Sequence, residues 1–462
     1  MIKVVRVLNE EKEGKREVSF ILKTSRYVWL SSDRLTLGYP LNFSNLTNLG
    51  DVAVYNLLPI AFFEHADISL PPGLPVEQGI QERVDAITKV WNQWYKSNRR
   101  IKIRAENVTP QDHLTDGKKQ AAQLFSGGVD SFSTFCRHEN PIRYLILFQG
   151  SDIFLSQAGE FERIQADLAD FARENSKELI VISTNVRFLS EAPWMYLVHG
   201  CAMLAPLLAL SNYINRAYIS SSFSGAFGIQ IPWGSHLHTD IHIRTQAIEV
   251  IHDGFELSRP KKMQLLIDKP DILKRIRVCG HPTPERFNCG KCEKCYRTLT
   301  ALTLLGVQPE LLPFPKESVD FEKIADFLEG HVLRPGLKDL WTQNLELLEG
   351  SEIADVPYRD KLNWGPNLEL FEQSRNGIKG KEKLRQTLLR ILDGFTEEYK
   401  TGIIKDLPYR DKVNGAWHKL EERLRLPYDS LGWIRKSLRA RQGSYHKEFI
   451  RAYRCYQQPS VN

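Results

Sequence analysis

The sequence lacks the dense cysteines, long uninterrupted apolar runs and strong charge bias that would assign its class at once. Its cysteines number seven in 462 residues, too few and odd in count for a disulfide framework. Four of them crowd into residues 279–295, and in a reducing compartment such crowding points to a metal. Net charge is only +6, too mild at this length to mark a nucleic-acid binder by itself. With 42% hydrophobic and 26% charged residues, the composition argues against disorder throughout and against a fibrous repeat. One apolar stretch, Tyr196 to Ile214, approaches membrane-span length. His199, Pro206, Ser211 and Asn212 interrupt it, so it reads as a buried core helix. Met1 leads straight into the alternating run Ile2-Lys-Val-Val-Arg-Val-Leu8 rather than into a leader. A cytoplasmic protein with no membrane partner is expected.

The length suggests roughly two to four domains, and the pattern divides the chain in three. Residues 1–118 read as an N-terminal α+β region. Val18 to Lys23 and Tyr27 to Leu30 have strand composition. After the turn-rich Leu70-Pro-Pro-Gly-Leu-Pro75, the spacing of Ile80, Val84, Ile87, Val90 and Trp91 predicts a helix over 78–95. His65 and Asp67 lie close together in this region, as a surface turn also would have them. Residues 119–310 alternate strands and helices. Strands are expected at Gln123–Phe125, Tyr144–Phe148, Leu179–Ser183 and Ala217–Ser220, and helices at Phe161–Phe171 and Leu197–Tyr213. That alternation predicts a parallel sheet with helices on both faces. Residues 311–462 read as a helical, charge-rich C-terminal region with Trp341, Trp364, Trp417 and Trp433 as packing anchors. Within it Asp355-Val-Pro-Tyr-Arg-Asp-Lys-Leu-Asn363 recurs as Asp406-Leu-Pro-Tyr-Arg-Asp-Lys-Val-Asn414, two copies being too few for a solenoid. The tail from Leu431 carries seven Lys/Arg against Glu448 alone. It reads as a solvated basic face or as a dock for an acidic partner or nucleic acid.

Ser126-Gly-Gly-Val-Asp-Ser131 follows a strand and precedes a helix. Glycines there let the backbone approach an anion, and the amides of the turn and helix start form a cradle for it. Ser126 and Ser131 add hydroxyls, and Asp130 can hold Mg²⁺ or the turn. No lysine follows the glycines, so this is not the GxxxxGK[ST] pattern. Such a turn suits holding departing pyrophosphate while a nucleophile attacks the α-phosphate.

Cys279, Cys289, Cys292 and Cys295 suit tetrahedral Zn²⁺, with Gly290 permitting a knuckle. A four-cysteine iron–sulfur cluster and unliganded thiols are the competing readings. Four protein ligands leave no open position, which favours a structural role.

The hexapeptide resembles the PP-loop of the N-type ATP pyrophosphatases, a family that includes NAD synthetase, GMP synthetase, asparagine synthetase and tRNA-thiolating enzymes. With Cys289-Gly-Lys-Cys-Glu-Lys-Cys-Tyr-Arg297 downstream, the pair resembles QueC, 7-cyano-7-deazaguanine synthase. The resemblance covers roughly residues 120–306, under half of the chain. The first cysteine gap and much of the intervening sequence depart from the housekeeping synthase, which also lacks the two flanking regions. Enlarged QueC-like proteins resemble those of bacterial anti-phage operons, including the QatC and type IV CBASS relatives.

The resemblance implies a PP-loop, adenine nucleotide alpha hydrolase-like sheet, with ATP, Mg²⁺ and Zn²⁺ as cofactors. It implies ATP contacts from Ser126, Gly127, Gly128, Val129, Asp130, Ser131 and Phe148. It implies catalytic roles for Asp130 and for the basic pair Arg259 and Lys262, against the plainer reading of a helix-start charge cluster. Arg187 ends a strand, where open α/β sheets bind ligands, and could pair with a carboxylate or with a surface acid. Trp233 could stack on a deazaguanine, and Asp240 could accept from its N1–H and 2-amino group. The other reading is a structural loop. Ser235, His236 and Asp240 are close in sequence, but that is not triad geometry.

The expected chemistry is ATP-dependent adenylation of a deazaguanine carboxylate, such as that of 7-carboxy-7-deazaguanine. Amine capture then gives 7-cyano-7-deazaguanine, or an amide on a partner protein in anti-phage defence. Two readings stay open beside it: a tRNA-modifying adenylating enzyme, and a nucleotide-binding regulator without turnover. The partner expected is the small-molecule deazaguanine. A protein acceptor and a homodimer are left open, and nucleic acid is not favoured.

Overall fold

The computed structural model describes residues 1–350, apart from 26–27, 96, 109–119, 281–285, 316–319, 332 and 334, and residues 380–392. The repeated nonapeptides, Trp364, Trp417, Trp433 and the basic tail lie outside the described residues. The architecture is α/β, with a large, mostly parallel central sheet and helices packed on it. The strands are β1 (Ile2–Lys12), β2 (Lys15–Thr24), β3 (Arg34–Pro40), β4 (Ile68–Ser69), β5 (Val76–Glu77), β6 (Ile103–Arg104), β7 (Asn107–Val108), β8 (Gln120–Leu124), β9 (Ile142–Gln149), β10 (Glu178–Thr184), β11 (Ile214–Ser220) and β12 (Glu249–Asp253).

Among the described residues, ten of them form one sheet in the order β12-β11-β8-β9-β10-β3-β2-β1-β4-β6, and β5 pairs with β7 separately. β8 to β12 all run parallel. Their side chains alternate between two cores. On β9, Ile142, Leu145 and Leu147 point to one core, and Ile146 and Phe148 to the other. On β10, Ile180 and Ile182 face one way while Leu179 and Val181 face the other. A strand covered on both faces needs apolar residues at every position, which is why these strands read as continuous apolar runs. Strand order reverses between β8 and β11, whose chain-adjacent neighbours β9 and β12 lie on opposite sides. That opens a crevice at their carboxyl ends.

The N-terminal strands extend this same sheet. β3 pairs antiparallel with β10, through Gly38 opposite Ser183 and Leu37 opposite Thr184. A side chain at Gly38 would collide with the Ser183 hydroxyl, so the junction requires glycine there. Val28 to Leu30 forms no strand, and Val28 N donates to Ser25 O at 3.0 Å.

The apolar stretch at 196–214 is buried, as its composition implies, but not as one helix. A π turn (Trp194–Val198), an α segment (His199–Leu204) and a 3₁₀ segment (Ala205–Leu210) succeed one another. Pro206 supplies no amide to an i−4 carbonyl, which favours the tighter winding around it. It packs on the helix Leu49–Glu64, buried from Gly50 to Glu64. A helix without an exposed face has no hydrophobic period to read, so the sequence pattern does not announce it. Beyond residue 311 the described elements are helical. Phe321–Glu329, Pro335–Glu349 and Lys381–Ile391 pack on the opposite face, with Trp341 fully buried.

An ionic clasp ties the 49–64 helix to the loop before β12. Asp51 is 1% exposed and accepts from Glu77 N at 2.9 Å. Arg83 lies 3.1 Å from Glu77 and 3.7 Å from Asp51. Arg83 Nε also donates to the Tyr55 hydroxyl at 3.0 Å, while Glu77 accepts from Gln246 N. Burial pushes the Asp51 carboxyl up to about 6, against the pull of the Glu77 amide and Arg83. Its folded pKa thus exceeds its unfolded value. The folded protein holds the proton more tightly, so this contribution to stability is complete below about pH 4 and lost as pH rises through about 6. Unfolding titrations should show wild type losing about 3 kcal/mol relative to Asp51→Asn between those limits. Parallel pH profiles for the two proteins would refute the assignment.

Candidate functional site

β8 ends at Leu124, and Phe125 N still bonds Ile146 O at 2.8 Å. The chain then turns through Ser126, Gly127 and Gly128 into the helix Val129–His138. Gly127 holds φ +73°, which favours glycine, and a Cβ there would crowd Leu168 Cδ2 at 3.1 Å. Arg277 fixes the outer side of the turn. Its amide donates to Gly127 O at 2.8 Å and its guanidinium to Ser126 O at 3.0 Å. Inside, Ser131 Oγ donates to Gly128 O at 2.9 Å and buried Gln123 donates to Ser131 O. Ser126 is exposed. The opening amides of the helix have no intrahelical acceptors, as at any helix start, and so are available to an anion.

Asp130, one residue into this helix, gathers two cations. Arg259 lies 2.7 Å from its Oδ2 and Lys262 3.1 Å from its Oδ1. Both come from the short helix Arg259–Gln264 after β12, where a spacing of three puts them on one face. Ser258 caps that helix at Lys261 N. Lys262 is only 2% exposed and also donates to Ser221 O at the end of β11, so it spans the crevice between β8 and β11. Burial raises the Asp130 carboxyl, but the two cations more than reverse this and its pKa is lowered. Burial lowers Lys262 in turn, with Asp130 partly restoring it. The three residues named from sequence as catalytic therefore meet at one point, beside the glycine turn.

The other candidates lie apart from that triangle. Phe148 is 6% exposed and packs in the core on the N-terminal side of the sheet. Arg187 follows β10; it donates to Ser151 O and stacks on Phe154 at 4.7 Å and on Trp194 at 5.2 Å. Trp233 is half-buried among Phe223, Tyr196 and His199, at 5.0, 5.6 and 5.7 Å. Its indole Nε1 is buried without a partner. Asp240 has no exposed surface, and its Oδ2 is taken by Ser235 at 2.7 Å and His252 at 2.8 Å. No group bridges Ser235 to an acid through His236, whose Nδ1 accepts from His238 N. Sequence reading gave His252 and Asp253 no role, yet both anchor the crevice floor. Asp253 accepts from Thr134 at 2.8 Å and pairs with His138 at 2.8 Å and Arg137 at 3.4 Å.

The four clustered cysteines converge. Their Sγ atoms all lie within 4.8 Å of one another, with separations of 3.7 Å for 279–292, 3.8 Å for 289–295 and 3.5 Å for 292–295. A tetrahedron of thiolates about 2.3 Å from zinc has edges of about 3.8 Å, so the group can hold a metal ion such as zinc. Buried Asn288 shapes the knuckle. Its Oδ1 accepts from Val278 N and Cys279 N, and its Nδ2 donates to Ile276 O and Pro313 O. Gly290 turns at φ +74°, and Cys292 precedes the helix Glu293–Leu304. Just before the knuckle comes Arg277, which grips the glycine turn, so the cysteine group braces that turn from outside.

The helix Pro335–Glu349 joins these two parts. Trp341 Nε1 donates to Glu293 at 3.0 Å, Asn344 donates to Arg297 O at 3.0 Å, and Gln343 Oε1 accepts from Arg259 N at 2.8 Å. Gln343 also donates to Asp339, which burial and then Glu346 push well above the usual carboxylate range. Sequence reading missed Gln343, because a polar residue on a buried helix carries no local signature.

Elemental analysis should find about one zinc per chain, and Cys289→Ser should lose the metal and lower the melting temperature. Iron in its place, or metal-free protein of equal stability, would overturn this reading. Compared with protein-family models, curated proteins and solved structures, the chain matches none of them.

Proposed function

We propose that this chain adenylates a carboxylate and passes the acyl group to an amine, with the glycine turn at 126–131 as the pyrophosphate cradle. The observation that carries this is the convergence of Asp130, Arg259 and Lys262 beside the turn, at the crevice where strand order reverses. The fold this favours is a PP-loop, adenine nucleotide alpha hydrolase-like sheet. Amides of the turn and helix start would face the outer phosphates of ATP. Lys262 and Arg259 would neutralise the charge that builds up as pyrophosphate leaves. Asp130 holds both cations at the turn beforehand, so little reorganisation is needed. Mg²⁺ would arrive with the nucleotide; because Asp130 is engaged by two cations, we assign it no metal.

The acid we favour is a 7-deazaguanine carboxylate, such as that of 7-carboxy-7-deazaguanine. Carboxylate is a poor electrophile because its charge is delocalised; AMP makes it a mixed anhydride with a good leaving group. Arg187 and Trp233, with their aromatic surroundings, support a planar, anionic substrate. Buried Asp240 would act by holding Ser235 and His252 in place, since its Oδ2 is already spoken for. Ammonia as acceptor gives an amide, which a second ATP-driven dehydration converts to a nitrile. A protein amine stops at the amide, the outcome a defence role would require.

Pyrophosphate exchange into ATP, driven by the carboxylate, tests the first half-reaction. Asp130→Asn should lower AMP formation about a hundredfold or more. Ser126→Ala, at an exposed position, should lower it roughly tenfold with unchanged melting temperature, the worth of one hydrogen bond to a charged oxygen. Full AMP formation in both variants would sink the proposal. With ammonium, mass spectrometry should read amide or nitrile as product.

A further inference from the structure

Amine capture needs a base, and the triangle around Asp130 cannot supply one: two of its members are cations and the third is bound to both. The segment after β10 holds a different group. His199 follows the π turn Trp194–Val198 and is the first residue of the α segment His199–Leu204. π turns concentrate at functional sites because they re-aim side chains. His199 Nδ1 lies 3.1 Å from Trp194 O. A carbonyl can only accept, so Nδ1 carries the proton and the lone pair of the neutral ring sits on Nε2. Among the described residues the ring's hydrogen bond is the one through Nδ1, and the residue as a whole is half-buried. The close approach of Gly234 fixes the ring from one side; a Cβ there would lie 2.6 Å from Nδ1.

Its neighbours are the two residues favoured for substrate. Trp233 lies 5.7 Å away edge-to-face. Arg187 stacks on Trp194, whose ring is 6.2 Å from His199. The charged groups acting on the imidazole are Asp240, Asp152 and Arg187. Asp152 also acts on Arg277, the residue that grips the glycine turn. Burial holds the imidazole below its ordinary range, outweighing the upward pull of the Trp194 carbonyl and the two acids. It is therefore neutral near pH 7, and able to accept a proton.

We infer that His199 is the general base of amine capture. Its Nε2 takes a proton from the amine nitrogen as that nitrogen bonds the acyl carbon. The C–O bond to AMP breaks, and AMP leaves with the bonding pair. The neutral amide remains, and the imidazolium returns its proton to water. This inference rests on the adenylation reading above.

The test separates the two half-reactions in the full chain. Carboxylate-dependent pyrophosphate exchange reads the first, and amide formation from ammonium, followed by mass spectrometry, reads the second. His199→Gln should leave exchange within about twofold and slow amide formation roughly a hundredfold or more. Hydroxylamine, mostly unprotonated at neutral pH, should restore capture in the variant to near the wild-type rate. The rise in capture with pH below neutrality, corrected for free amine, should disappear in the variant. Unchanged capture from ammonium would overturn the assignment. So would exchange and capture falling together in both His199→Gln and His199→Phe, which would mean a structural role. No exchange in the unsubstituted protein would remove the adenylation reading, and this inference with it.

Discussion

One carboxylate holding two cations in a crevice is the constraint on which the site depends. A lysine that is 2% exposed is costly to bury unless an opposite charge sits beside it. Asp130 supplies that charge, and Arg259 shares it. The arrangement still carries one net positive charge beside the glycine turn, a balance that suits an anionic ligand. The carboxylate also sets where the cations stand, since without it they would repel each other.

The fold was largely legible where burial is one-sided or where runs are short and apolar. β9 and β10 announce themselves through continuous Val, Ile, Leu and Phe, and the 80–94 helix through its spaced apolar residues. The 49–64 helix was not legible, because it is buried on all sides and shows no period. The broken 194–210 segment was legible as buried but not as three windings, since only Pro206 hinted at a disruption. Neither was the antiparallel joint between β3 and β10, because pairing across 145 positions leaves no local trace.

The site divides along the same line. The glycine turn and the cysteine group are local patterns, so sequence spacing names their residues directly. Arg259 and Lys262 were named through the resemblance alone, which implies a basic residue in this stretch. Gln343, Asp253 and His199 were not found. Each acts through a partner far away in sequence or through a backbone carbonyl, and neither relation leaves a motif. Asp240 is expected from sequence to accept from a deazaguanine, and its burial against Ser235 and His252 gives it neighbours that its sequence context does not reveal.

The helix at 335–349 bears on how small this machinery can be made. It touches the knuckle helix through Trp341 and the cation-bearing helix through Gln343. A fragment ending at residue 310 would keep every motif a pattern search detects. It would nevertheless expose Arg259 N and leave the Glu293 side without its indole cover. The folded unit is thus longer than its signature, and a shortened chain that keeps these contacts would have to be cut beyond residue 350.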